Sequence, residues 1–178
     1  MMMDGTKLTM HRVVYEMSIS GKGRRRFERR GIPMPMSVSV IFDGNCREAV
    51  RFYAEVFGQE CPAFLTYAEA MPSNPDLQTA DSMRSRVQHT VIDIGGMPVR
   101  FCDTPESFGF SRGSAVTLTV TYENPQEAQR VFDRLSKGGY IDVPFQKQPD
   151  GGYYGLVEDQ FRISWEVLGE ENKAQPIL

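Results

Sequence analysis

One phrase occurs twice in this chain. Residues 45–53 read N-C-R-E-A-V-R-F-Y and residues 124–132 read N-P-Q-E-A-Q-R-V-F. Asn45/Asn124, Glu48/Glu127, Ala49/Ala128 and Arg51/Arg130 match at a constant offset of 79 residues, and Tyr53 answers Phe132 with a ring. Each copy follows a strand-like run, 38–42 before the first and 116–122 before the second. A repeat this long exceeds a solenoid unit, so it marks two copies of one strand–helix–strands module. Two copies of a module can enclose a site between them.

The chain of 178 residues suits one domain or two small modules sharing a core. Its net charge of −3 is unevenly spread. Residues 1–35 carry eight Lys/Arg against three Asp/Glu, which leaves the remainder at −8. An acidic folded part argues against nucleic acid as a partner. Cys46, Cys61 and Cys102 are odd in number and lack metal-type spacing, which reads as free thiols in a reducing compartment. No run approaches the roughly 18 apolar residues of a membrane span, and the N-terminus lacks the apolar core of a secretory signal. The expectation is a cytoplasmic protein with neither a nucleic-acid nor a membrane partner.

Residues 1–35 differ from the rest. They hold six of the ten methionines, the block G-K-G-R-R-R-F-E-R-R at 21–30, and a Pro33-Met34-Pro35 break. A flexible basic extension is expected, with three readings open. It is a disordered leader with Met34 or Met36 as the natural start, an arm with a strand at 11–19 that packs on the domain or a partner, or a basic arm for nucleic acid or membrane.

Within the remainder, module one is expected over 36–106 and module two over 114–168, followed by a polar tail at 169–178. Module one opens with a β-branched strand at 37–42. Asn45 and Glu48 have the spacing of a capping box, and Cys46, Ala49, Val50, Tyr53, Val56 and Phe57 recur at helical spacing. Gly58 sits where a helix ends. Strands are predicted at 61–67, 87–94 and 97–102, the last two joined by Gly95-Gly96. Module two repeats the order. A strand covers 114–122, and a helix starting at Asn124 buries Ala128, Val131, Phe132 and Leu135. Further strands cover 140–146, 153–158 and 162–168. Asp150 to Tyr154 reads as a turn with exposed tyrosines. The predicted fold is α+β, paired βαβββ modules. Parity puts Phe161, Ile163, Trp165 and Val167 on the helix side, and Arg162, Ser164 and Glu166 on the opposite face. In the same way Arg100 and Cys102 lie opposite Val99 and Phe101.

These segments resemble a known family. F-D-G-N-C-R-E-A-V-R-F-Y-A-E-V-F-G at 42–58, V-Q-H-T-V-I-D-I-G-G at 87–96 and D-Q-F-R-I-S-W-E-V at 159–167 are similar to the PhnB-like, 3-demethylubiquinone 3-methyltransferase-like branch of the vicinal oxygen chelate superfamily. That superfamily includes glyoxalase I, extradiol dioxygenases and bleomycin-resistance proteins, and the resemblance covers residues 36–168. It implies a cavity between the modules, a small-molecule ligand and a homodimer. In the superfamily a metal is held from the first and last strands of each module. Carried over, those positions fall on Glu166, Val38, Thr117 and Cys102, or Arg100 if the register slips by two. These donors do not make a divalent-cation site, so no metal and no cofactor are expected.

The residues chosen for chemistry are Glu166 and His89 as catalytic groups, and Arg100, Cys102, Thr117 and Ser164 as ligand-binding groups. A desolvated Glu166 would act as a general base beside a carbonyl, or would merely pair with Arg100 or Arg162. Arg100 suits a carboxylate or phosphate. The aromatic, glycine-rich loop 107–114 either covers the cavity or is a plain linker. Four functions stay open: a small-molecule-binding or enzyme-like protein without a tight metal, a metal-dependent lyase, isomerase or dioxygenase, a methyltransferase, and a drug-sequestering protein. Methyl transfer is disfavoured because no glycine-rich nucleotide-binding turn follows a first strand. Whether the protein is an enzyme is left open by its sequence.

Overall fold

The computed structural model describes residues 37–70, 81–105 and 108–170. The expectations for 1–35, for 71–80 and for the tail beyond 170 lie outside these residues. The elements run β1 (Val38–Phe42), α1 (Cys46–Val56), β2 (Leu65–Thr66), α2 (Tyr67–Ala70), α3 (Asp81–Ser85), β3 (Val87–Ile94) and β4 (Met97–Asp103), then β5 (Leu118–Tyr122), α4 (Pro125–Leu135), β6 (Tyr140–Lys147), β7 (Tyr153–Glu158) and β8 (Ser164–Gly169). They form two four-stranded sheets, ordered β1-β4-β3-β2 and β5-β8-β7-β6. In each sheet the first strand runs parallel to the last, and the remaining pairs are antiparallel. The fold is α+β with paired βαβββ modules, as the repeat implies.

The two long helices, α1 and α4, form on amphipathic stripes, but their starts are held differently. In α4 the Asn124 side chain accepts from the N–H groups of Gln126 and Glu127, and Pro125 occupies the first turn. In α1 the Asn45 side chain makes no such bond. The buried carboxylate of Asp103 does that work from the end of β4, accepting from Gly44 N at 2.9 Å, Cys46 N at 3.0 Å and Val87 N at 2.8 Å. The expected capping box appears elsewhere, at the start of α2. Glu69 accepts from Thr66 N, and Glu69 N donates to Thr66 Oγ1. That helical turn ends the expected strand at 61–67 before Tyr67, and residues 61–64 also stay outside it, so that only Leu65 and Thr66 pair with β3.

Two other strands are shorter than their sequences predict. Residues 114–117 stay outside β5, because Leu118 pairs with Trp165 and β8 begins only one residue earlier. Arg162 and Ile163 stay outside β8, because Asp159 accepts from the N–H groups of Phe161 and Ile163 and folds 159–163 into a turn. Tyr153 and Tyr154 lie in β7 and are half-buried rather than exposed.

One core serves both modules, and Tyr53 crosses between them. Its ring packs on Phe101, Phe161 and Trp165, with centroids 5.4, 6.0 and 5.5 Å away. Its hydroxyl donates to Asp159 Oδ2 at 2.7 Å, which also accepts from Trp165 Nε1 at 2.9 Å. The second aromatic of the repeat, Phe132, stays within its own module against Phe145. It lies so near the β7 backbone that a Cβ on Gly155 would fall 2.6 Å from its ring. Arg134 of α4 ties the helices together by donating to the carbonyls of Glu55 and Val56 at the end of α1.

Tyr53→Phe keeps the ring and removes the buried hydrogen bond to a carboxylate, so it should cost about 1.5–3 kcal/mol. Urea unfolding at neutral pH should show a lower midpoint at an unchanged slope. A midpoint equal to that of the parent would mean that Tyr53 acts through packing alone.

Candidate site on the open sheet faces

Each sheet has one face on the helices and core and one facing away from them. In β5 and β8 the core face carries Leu118, Val120, Trp165 and Val167, so Thr119 and Glu166 stand on the other face as direct cross-strand partners. Thr119 Oγ1 donates to Glu166 Oε2 at 2.8 Å, and Tyr154 Oη donates to Glu166 Oε1 at 3.3 Å. Glu166 is half-buried and its partners are two hydroxyls, not a guanidinium. Burial and the neighbouring Glu166 charge raise the Tyr154 phenol above its ordinary value. The trio is an acceptor-rich patch of carboxylate and hydroxyl oxygens. Ser164 lies on the same face, opposite Glu158.

In the first sheet the corresponding face carries Ser39 and Ile41 of β1, Val91 of β3, and Arg100 and Cys102 of β4. His89 has the parity of Val91. Arg100 Nη2 donates only weakly, at 3.4 Å, to the Gln88 carbonyl, and its Nε is buried with no acceptor. Burial lowers the His89 pKa and Arg100 lowers it further, so the imidazole is neutral at pH 7. Burial raises the Cys102 thiol while Arg100 opposes the rise, so the sulfur is held as a thiol rather than a reactive thiolate.

The two registers superpose pair by pair. Val38↔Val99, Ser39↔Arg100 and Val40↔Phe101 answer Leu118↔Trp165, Thr119↔Glu166 and Val120↔Val167. The bonds Thr104 N→Phe42 O and Glu170 N→Tyr122 O fall at the same relation. Arg100 is therefore the first module's counterpart of Glu166, and Ser39 that of Thr119. The offset between first strands is 80, one more than in the helices, because Asp43-Gly44 precedes Asn45 where Glu123 alone precedes Asn124. A one-residue slip reverses a strand's faces. Val38, whose counterpart at a count of 79 is Thr117, is answered in the structure by Leu118, and it lies on the core face paired with Val99. Thr117 itself is exposed and outside the strand.

The sequence-chosen residues therefore fall into two sets, Glu166 with Ser164, and His89, Arg100 and Cys102, with Thr117 in neither. Among the described residues no hydrogen bond or ion pair joins the sets. Three residues of these faces were not among those chosen, although parity puts the threonines of the fifth strand on the cavity side. Thr119 is Glu166's cross-strand partner, Tyr154 lies one diagonal step away, and Ser39 was hidden by the slipped count. Pairing β5 with β8 by hydrophobic parity would have found Thr119.

The fold's metal chemistry does not fit these donors. Glu166 is one carboxylate between two neutral hydroxyls, and its counterpart is a cation that would repel a divalent ion. Among the described residues no three His, Cys, Asp or Glu side chains form a group able to hold a metal.

Comparison with known proteins agrees with the fold. The family model for 3-demethylubiquinone-9 3-methyltransferase matches residues 35–168. Protein YjdN of Escherichia coli K12 is 28% identical over 141 residues, covering 75% of this chain and 94% of that protein. Protein PA1353 from Pseudomonas aeruginosa superposes with a TM-score of 0.67 at 23% identity, over 79% of this chain and 100% of that one. A putative 3-demethylubiquinone-9 3-methyltransferase, the PhnB protein from Bacillus cereus, superposes with a TM-score of 0.60 at 24% identity, over 75% and 98%. The chain belongs to the 3-demethylubiquinone-9 3-methyltransferase family, the PhnB-like branch of the glyoxalase/bleomycin-resistance fold. No helix among the described residues is long and apolar enough to cross a membrane.

Two titrations test the electrostatics. Glu166→Gln removes the carboxylate that disfavours tyrosinate, so the Tyr154 pKa should fall toward its ordinary value in an ultraviolet pH titration. Arg100→Gln should raise the His89 pKa, read from its ring-proton shifts. Because the folded pKa of His89 lies below its unfolded value, its contribution to stability is present above the ordinary imidazole pKa and is lost as pH falls through the folded pKa. The Arg100→Gln variant should lose less stability over that window.

Proposed function

We propose that this protein is a small-molecule-binding protein or enzyme of the PhnB-like type that works without a tightly bound metal. The observation that carries the reading is the exchange of charge at equivalent positions, Glu166 beside Thr119 in one sheet and Arg100 beside Ser39 in the other. A duplicated metal site would want oxygen, nitrogen or sulfur donors at both places. A carboxylate and a guanidinium suit an organic ligand that carries an anionic group and a proton donor.

In this reading Arg100 holds the anionic group of the ligand through its unsatisfied N–H. Glu166, oriented by Thr119 and Tyr154, takes a proton from the ligand or accepts its hydrogen bond. Tyr154, kept protonated, donates to the carboxylate and can return a proton. Neutral His89 and thiol Cys102 flank Arg100 on the open face of the first sheet and supply no nucleophile. A homodimer would cover the open sheet faces, and symmetric pairing is the usual arrangement for such surfaces.

Metal analysis of the full chain, purified without added metal, is the direct test. Substoichiometric magnesium, manganese, iron and zinc are expected, with a melting temperature indifferent to a chelator. A stoichiometric divalent ion that is lost in Glu166→Gln would overturn the proposal in favour of metal-dependent chemistry.

A further inference from the structure

A second site lies where the two modules meet. β1 and β5 are outer strands of their sheets. Both border a groove of about 250 Å³, walled by Val38, Ile41, Val116, Leu118 and Ile163. Apolar side chains would make it a site for any greasy ligand, except that two arginines also line it, Arg112 from the connection between modules and Arg162 from the β7–β8 turn.

The two arginines are notable for different reasons. Arg112 stacks on Phe110, with Cζ 5.1 Å from the ring centroid. Among the described residues it has no carboxylate partner and no hydrogen-bond acceptor. A ring face holds the guanidinium beside it without taking up its N–H donors, which stay available for a planar acceptor. Arg162 has φ 63, and among the described residues it is the one non-glycine in the left-handed region. Glycine or asparagine would occupy that turn with less strain. Its ion pair with Glu158 is at the surface, with the arginine side chain 68% exposed, and such pairs contribute little. A strained residue whose side chain lines a groove points to a use for that side chain.

We propose that this groove binds a small amphipathic anion, an aryl or short alkyl carboxylate. Its acid group lies between Arg112 and Arg162, and its apolar body lies against Val38, Val116 and Ile163. Arg112 supplies a pre-oriented fork for the carboxylate. Arg162 exchanges its exposed Glu158 partner for the ligand. The groove adjoins the open faces through Ser39 and Ser164, which also line it, but its anion contacts use neither the Glu166 trio nor Arg100, so the proposal does not rest on a ligand at those groups.

Calorimetric titration of the full chain with 2-naphthoate, and with neutral 2-naphthamide as the control, tests this. One-to-one binding of 2-naphthoate is expected, with the amide weaker by about tenfold or more. Arg112→Gln and Arg162→Gly should each weaken 2-naphthoate by about tenfold. Arg162→Gly should do so with an unchanged or raised melting temperature, since it relieves the left-handed strain. That combination separates a ligand contact from a structural role. Equal binding of acid and amide, absence of saturable binding at millimolar 2-naphthoate, or parental affinity in both variants would overturn the proposal. A loss confined to one variant would overturn the two-arginine arrangement and leave the acid on that arginine alone.

Discussion

The carboxylate of Asp159 is the interaction on which the joined fold most depends. It is 2% exposed and accepts four hydrogen bonds, from Tyr53 Oη, Trp165 Nε1 and the N–H groups of Phe161 and Ile163. A buried charge without such donors would be strongly destabilising. With them it does three things. It shapes the turn into β8, seats the largest core side chain, and draws the first module's helix against the second module's last hairpin. Tyr53 completes the tie, its phenol kept protonated by burial and by the Asp159 charge, with Arg112 opposing. Asp103 plays a local version of the same part, holding the start of α1 and β3 to the end of β4. Each module thus carries a buried carboxylate held by several donors, three backbone N–H groups on Asp103 and two backbone and two side-chain groups on Asp159, and in the second module the carboxylate also spans the seam.

This tie sets the register of the candidate site. The turn that Asp159 organises decides where β8 begins, and its pairing with β5 places Thr119 beside Glu166. The first sheet has the same pairing with different chemistry. Ser39 and Arg100 occupy the places of Thr119 and Glu166, while the core pairs around them stay apolar in both sheets. Duplication kept the alternation that a half-buried sheet needs and left the outward residues free to diverge in charge. The same freedom extends to the seam, where Arg112 and Arg162 lie outside both sheets.

Much of the fold was legible because it rests on local rules. The 153–158 and 87–94 strands match their predicted limits, and the α4 stripe of Ala128, Val131, Phe132 and Leu135 is the buried set. Expectations failed where a distant group outbid a local one. Asn45 has the right type and spacing to cap α1, yet Asp103, 57 residues away from Cys46, takes the N–H. Residues 114–117 continue the alternation of the strand, yet among the described residues no neighbouring strand pairs with them. Thr66 and Glu69 form a capping box that the sequence shows plainly but that the apolar run around it disguises as a strand.

The sequence by itself determined the duplication, the order βαβββ within each copy, and which face of each helix is buried, since the first is a repeated phrase and the other two follow from short-range periodicity. It also determined that Trp165 is core and that Glu166 points away from it, because parity along a single strand needs no partner. Tertiary structure decided which residues stand beside Glu166 and which residue answers it in the other module. That question turns on how separate strands are aligned. One extra residue in the turn at Asp43-Gly44 shifts the first strand relative to the repeat, so that Thr119 is answered by Ser39 rather than Val40, and Val38 by Leu118 rather than Thr117. Register between strands is a property of pairing and packing, which no single strand contains.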